Sequence, residues 1–191
     1  MSRADGLRGA GTNARTRRIL ALLAAVAIAP VVLAYVAYYA WPRDARLNYG
    51  ELLSGALPAI HGTRLDGTPF ASDALRGRWV VLHEAPGDCA GDCRPALYAS
   101  RQARTIQNAE RERVVRVWLL AGNGAPPSSL LAEHPDLAVV RVDAPPSLPR
   151  GSARIYLIDP LGNFVLAWPS KPDIKAMAKD LGRVLRASSI G

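Results

Sequence analysis

Cysteine and histidine are scarce in this 191-residue chain, with two of the first and three of the second. A structural zinc site ordinarily takes four such ligands, so two cysteines without paired histidines argue against one. No Gly-x-Gly-x-x-Gly, phosphate loop or Ser/His/Asp spacing stands out, which removes the sequence basis for nucleotide binding or serine-hydrolase chemistry. Glu110 and Glu112, or Asp88 and Asp92, are close enough in sequence to be named as acid/base pairs. Exposed helix and loop charges account for them better.

The net charge is +8, yet little of it belongs to the body of the chain. Seven arginines against Asp5 and Asp44 put +5 in residues 1–46 and leave +3 for the rest. The excess flanks a hydrophobic run instead of forming a patch, which argues against nucleic acid as a partner. With 49% hydrophobic residues, the length suits one domain and an appendage.

The appendage is Ile19 to Trp41, 23 residues without a charge. As a helix it rises about 34 Å, enough to cross a hydrocarbon core of about 30 Å. Pro30 lies near its middle, where a membrane helix tolerates it. Tyr35, Tyr38, Tyr39 and Trp41 crowd the C-terminal end, as interfacial anchors do. Arg15, Arg17 and Arg18 directly precede the run, so the positive-inside tendency puts the N-terminus in the cytoplasm of a bacterial-type inner membrane and the remainder in the periplasm. A cleaved signal peptide is the alternative; against it, the apolar run exceeds the usual h-region and Pro30 follows the Ala-Ile-Ala that would mark the cut. Four segments follow: a basic terminus over 1–18, a transmembrane helix over 19–41, a linker over 42–56 and a folded domain over 57–188.

Within that domain, strand and helix signals alternate. Asp66-Gly67 in Thr63 to Phe70 is a hairpin signal. WVVLHEA (79–85), VVRVWLL (114–120) and LAVVRV (137–142) read as strands. Pro95 occupies the expected first position of a helix continuing to about Glu112. SLLAEH reads as a short helix, and ARIYLIDPLGNFVLAW (153–168) as two strands around a four-residue turn. The terminal helix sets Ile174, Met177, Ala178, Leu181, Val184 and Leu185 on one face and Lys171, Lys175, Lys179, Arg183 and Arg186 largely outside it. The ordinary reading is a docked helix with a solvated basic face, the other being a membrane-surface role. An early βαβ unit followed by a hairpin and a helix gives a three-layer α/β domain with a mixed sheet.

Both cysteines, Cys89 and Cys93, fall in PGDCAGDCRP, between a strand and a helix. A disulfide, a copper site and a redox pair all suit that placement. Amides and dipole at a helix N-terminus stabilise a thiolate at Cys93, and Arg94 acts with them. Asp88, Asp92 and Glu84 act against it, so the sign of the net effect stays open.

A single N-terminal span, a strand leading into Cys-x-x-x-Cys at a helix start, and the later IYLIDPLGNFVLAW hairpin before a final helix together resemble the Sco/SenC family. The resemblance covers roughly residues 50–188 and implies a thioredoxin-like fold and a role in handling copper and thiols while the copper centre of cytochrome c oxidase is assembled. It implies the copper-centre subunit of that oxidase as partner, and Cys89 and Cys93 as the pair that binds copper or forms a disulfide. Two departures stand out. Arg94 intervenes before Pro95, where the family places proline directly after the second cysteine; and the family's third copper ligand, a histidine about five residues before the Tyr-Leu of the hairpin strand, is replaced by Gly151 when counted back from Tyr156. Two thiolates suit Cu(I), while Cu(II) calls for an imidazole or other nitrogen or oxygen ligands. His83, six positions before Cys89, is the candidate replacement, although a strand histidine is more often packed or hydrogen-bonded. His134, His61 and Met177 are weaker candidates, two in loop or turn settings and one on the core face of the last helix. Besides the assembly factor, two functions remain open: a thiol:disulfide oxidoreductase acting on protein cysteines, and an interaction module with a purely structural disulfide.

Overall fold

The computed structural model describes residues 10–40, 48–149 and 153–190, and the chain divides into two units, Met1–Arg46 and Leu47–Gly191. In the first unit, helix α1 (Ala10–Ala40) runs through Pro30. Residues 14–37 are long and apolar enough to cross a membrane, and Ile19, Leu23, Val31 and Tyr35 are among the large exposed side chains of this helix. Tyr35 and Tyr39 stack one turn apart with ring centroids at 4.6 Å. Trp41, the end of the expected span, lies outside the described residues.

The second unit is built on an eight-stranded mixed sheet of order β1-β8-β7-β4-β5-β6-β2-β3. Its centre is β4 (Trp79–Pro86), β5 (Val114–Ala121) and β6 (Leu137–Val142), mutually parallel. Parallel neighbours need crossover connections, supplied by α2 (Cys93–Thr105) and by the short α3 (Ser128–Glu133). Because both faces are covered, these strands carry near-continuous apolar runs instead of alternating ones. β7 (Ala153–Ile158) pairs antiparallel with β4 and with β8 (Phe164–Pro169). The β7–β8 turn is organised by Asp159, whose Oδ1 accepts from the Leu161 and Asn163 amides at 2.9 and 2.8 Å. Gly162, at φ 91°, supplies the left-handed backbone that this turn needs.

The two edges come from the N-terminal segment. β1 (Glu51–Leu52) pairs with β8, while the hairpin β2 (His61–Arg64) and β3 (Pro69–Ala71) pairs with β6 at the far side. Between them Leu53, Leu57 and Ile60 pack with Val80, Leu82, Ile158 and Phe164 on one face of the sheet. Residues 48–56, read from sequence as linker, therefore belong to the sheet unit. The opposite face is covered by helices: Ala96, Ala99 and Ala103 of α2 and Met177, Ala178, Leu181 and Leu185 of α4 (Ile174–Ala187) pack over Val81, Ile155, Leu157 and Trp168. The apolar face expected of the last helix is the one that packs.

Helix α2 departs from expectation at both ends. It starts at Cys93, which makes Pro95 its third residue, and it stops at Thr105, before a 3-10 turn over Asn108–Arg113. Asn108 has a left-handed φ of 54°, which ends the helical path. Gln107 donates to Ala103 O and Ala178 O, and Arg113 caps the last carbonyls of α4 at Leu185 and Ser188. The helix-forming composition up to Glu112 is overridden by this tertiary bonding.

One buried carboxylate fastens the start of the domain to its end. Asp180 of α4 is 2% exposed and accepts from Trp168 Nε1 at 3.2 Å, the Gly50 amide at 2.8 Å and the Tyr49 amide at 3.2 Å, with Arg183 at 3.3 Å. Arg183 also donates to Asn48, and the Tyr49 hydroxyl accepts from the Asp173 amide. Gly50 is the residue that fits, since a Cβ there would lie 2.8 Å from Trp168 Nε1. Asp180→Ala leaves two buried donors, Gly50 N and Trp168 Nε1, and the part-buried Tyr49 amide without their acceptor and is expected to cost about 2–4 kcal/mol in urea unfolding. Hydrogen exchange at Tyr49 and Gly50 rises in the variant; unchanged exchange there contradicts the clamp.

Candidate functional site

The cysteine loop begins where β4 ends. Gly87 is buried against the loop that follows β5: a Cβ on Gly87 would stand 2.3 Å from Gly124 O, so the two loops meet backbone to backbone. The chain then turns sharply. The Cys89 amide donates to Pro86 O at 3.0 Å, and Cys89 and Gly91 adopt φ 50° and 61°. For a non-glycine residue, the first of these values is uncommon and is held here by packing on all sides. Cys93 follows as the first residue of α2, and its sulfur is bonded to that of Cys89 across a Cα separation of 5.0 Å.

The two sulfur-bearing residues sit in unlike surroundings. Cys89 is 1% exposed and packs with Leu97, Trp118, Leu120, Leu130 and Val139. Trp118 is locked in place by its own Nε1 bond to Ala85 O at 3.1 Å. Cys93 is only partly buried, and it lines an open cleft of about 570 Å³ together with His83, Glu84, Pro86, Asp92 and Ser170. Of the two, Cys93 is the one that a second molecule can approach.

Asp92, between the cysteines in sequence, is occupied elsewhere. Its Oδ2 accepts from Ser170 Oγ at 2.9 Å and its Oδ1 pairs with Lys171 at 2.8 Å, which ties the cysteine loop to the segment between β8 and α4. The carboxylate expected to oppose a thiolate at Cys93 is thus partly neutralised. Asp88 is exposed and accepts from the Ala90 amide at 3.4 Å.

Beneath the loop runs a buried polar network that the sequence did not announce. Arg116 projects from the middle of β5 and is fully buried. Its guanidinium donates to Leu97 O at 2.7 Å, to Ser100 Oγ at 3.1 Å and to Asp136 at 3.2 Å. Burial lowers its pKa to about 10, with Asp136 acting against the fall, so it remains a cation at neutral pH. Ser100 commits its hydrogen to Leu97 O at 3.0 Å and therefore accepts from Arg116 and from His83 Nε2, the latter at 2.9 Å. His83 is thereby the Nε2–H tautomer, with Nδ1 as the acceptor. The one available signal for this network was an arginine inside an apolar strand.

The remaining candidates are dispersed. His83 borders the cleft, but its Nε2 is engaged with Ser100. His134 is buried after α3 with Nδ1 unpartnered, His61 is exposed at the start of β2, and Met177 is in the core. Among the described residues no three His, Cys, Asp or Glu side chains are grouped to hold a metal. Gly151, which stands at the position counted for a third ligand, lies outside the described residues.

A model of transmembrane-like, thioredoxin-like, C-terminal domains matches residues 79–188, the stretch from β4 through α4. The chain belongs to this family. Its thioredoxin-like fold is shared by solved structures of low identity. ScoI of Bradyrhizobium japonicum, with copper bound, is 17% identical over 68% of this chain and 99% of its own, at a TM-score of 0.53. Apo Sco1 of Thermus thermophilus is 18% identical over 75% and 98%, at 0.56. The thioredoxin domain of a thiol-disulfide oxidoreductase from Bacteroides vulgatus is 14% identical over 71% and 99%, at 0.51. At these identities the likeness is one of fold. No curated protein matches the chain.

The buried histidine sets a pH dependence. Burial holds His83 well below its ordinary 6.5, and the nearby positive charges of Arg116 and His134 push the same way; His134 is itself lowered by burial. The unfolded chain therefore takes up protons first as the pH falls. Stability is complete above about pH 6.5 and declines below it, by up to about 1.4 kcal/mol per pH unit for each such proton. Urea midpoints from pH 7.5 to 5 are expected to fall, and His83→Gln to flatten the decline; equal slopes in both proteins contradict a neutral, buried His83.

Proposed function

We propose that this chain is a membrane-anchored thiol–disulfide protein of the Sco type, serving assembly of the copper centre of cytochrome c oxidase through Cys89 and Cys93. The observation that carries the reading is the asymmetry of the pair: one sulfur buried among apolar side chains, the other on an open cleft at a helix N-terminus. A structural bridge gains nothing from such a cleft. An exchanging one requires it, because the incoming sulfur must reach one cysteine in line with the bond it breaks.

The exchange is balanced and reversible. In the reduced protein the Cys93 thiolate attacks a client disulfide, forming a Cys93–client bond and releasing the second client sulfur as thiolate. Cys89 then attacks Cys93 Sγ, re-forming Cys89–Cys93 and releasing the first client thiol, so that the client is reduced by two electrons and the pair oxidised by two. The same steps in reverse oxidise a client dithiol. The helix N-terminus favours the Cys93 thiolate in either direction. Single-pass anchoring by α1, with the domain in an oxidising periplasm, suits a persistent disulfide, and the arginines at 15, 17 and 18 favour that orientation.

Copper enters as cargo. Once the bond is reduced, two thiolates on one loop can move apart to hold Cu(I) linearly, and among the described residues no group of three ligating side chains adds to them. The copper-bound ScoI structure supports the cargo reading through its fold. Cu(I) titration of the reduced protein against a chromophoric chelator is expected to show one equivalent bound, lost in Cys89→Ser/Cys93→Ser. No binding above that variant removes copper carriage and leaves thiol exchange.

Trapping separates the exchange reading from a structural bridge. Cys89→Ser, which leaves Cys93 on the cleft, is expected to form a mixed disulfide with glutathione disulfide roughly tenfold or more faster than Cys93→Ser, which leaves the buried Cys89. Equal rates, or a faster Cys89, would contradict the assignment of Cys93 as the attacking thiol.

A further inference from the structure

The chain has 24 basic side chains, and only three of them are lysines: Lys171, Lys175 and Lys179, four residues apart. Lys175 and Lys179 lie with Arg183 and Arg186 along one side of α4, roughly opposite the face that packs on the sheet. All but the partly buried Arg183 are exposed. Acidic groups facing this stripe are few and already used: Asp92 pairs with Lys171, Asp180 is buried and pairs with Arg183, and Asp173 caps α4 through the Ala176 amide. Among the described residues, Lys175, Lys179 and Arg186 have no anionic partner.

The same helix holds the start of the domain. Asn48, Tyr49 and Gly50 are bonded to Asp173, Asp180 and Arg183 of this region. Seven residues, 41–47, separate them from Ala40, the end of α1. Even fully extended, the eight Cα–Cα steps from Ala40 to Asn48 reach no further than about 29 Å. At a membrane crossed by α1, phosphate-bearing lipids supply the charge opposite to these uncompensated cations, and the short tether leaves that surface within reach of the domain.

We propose that the lysine side of α4 docks on anionic lipid headgroups, setting the orientation of the domain on the bilayer. The contact is electrostatic and not an insertion, because the apolar side of α4 is consumed by the sheet. Through the Lys171–Asp92 pair this side adjoins the cysteine loop, so a fixed orientation also fixes where the Cys93 cleft is presented. The inference rests on α1 being a membrane anchor.

The scarcity of lysine makes the test direct. Full-length protein is placed in bilayers of phosphatidylcholine alone or with about 30% phosphatidylglycerol, and acetylation of Lys175 and Lys179 is followed by mass spectrometry. Expected is acetylation at least about fivefold slower in the anionic bilayer at low salt, with the difference collapsing near 1 M salt, where charges are screened beyond about 3 Å. Lys175→Glu is expected to restore fast labelling of Lys179. Equal rates in the two bilayers overturn the proposal, as does equal protection in both, which points to a protein partner or self-association. Vesicle flotation at high salt reads the anchor separately: a chain that floats without lipid-dependent protection loses the lysine contact alone, and one that fails to float loses both.

Discussion

Arg116 occupies a strand position between Val115 and Val117 where an apolar residue would be ordinary, and its burial demands that its donors be satisfied. They are satisfied by α2, through Leu97 O and Ser100 Oγ, and by Asp136 before β6. One guanidinium thus ties the cysteine-bearing helix to the centre of the sheet one to two turns beyond the residue that opens α2. That residue is Cys93. Had the helix opened at Pro95, as its composition proposes, both cysteines would lie in the loop and neither at a helix N-terminus.

From that constraint the site's division of labour follows. Leu97 lies one turn beyond Cys93 and packs with Trp118 and Cys89, so the helix that presents one sulfur to the cleft also seals the other in the core. Backbone contact between Gly87 and Gly124 closes the loop from behind, and the pairing of Asp92 with Ser170 and Lys171 closes it from the side. Reduction of the disulfide leaves these restraints in place, which favours a dithiol held ready to close again over one free to drift.

Much of this was legible in the sequence where local pattern and tertiary packing agree. The buried strands at 79–86, 114–121 and 137–142 announce themselves as apolar runs, the Asp159 turn and the Asp66-Gly67 hairpin by their turn residues, and α4 by its periodicity. The ends of α2 were not legible, because Gln107 and Arg113 bond to a helix some seventy residues away and Asn108 turns the backbone left-handed between them. The path of residues 48–60 across the sheet was equally hidden: its apolar residues are spaced by the geometry of the face they cover and not by a period of their own. Asp180 looks in sequence like a surface charge of an amphipathic helix, and Arg116 is marked only by its apolar strand; their partners explain why both are buried. The cysteine pair stands out in the sequence as the two cysteines of the chain, but which sulfur is accessible depends on Trp118, Leu130 and Val139, three residues on three other elements.

Whether the Cys89–Cys93 bond exchanges is measured most directly by its reduction potential. Full-length protein equilibrated with dithiothreitol redox buffers, with the oxidised fraction read by thiol alkylation, is expected to give a value above about −300 mV, in the range of labile and catalytic disulfides. A potential well below about −300 mV would identify a structural bridge and contradict the account.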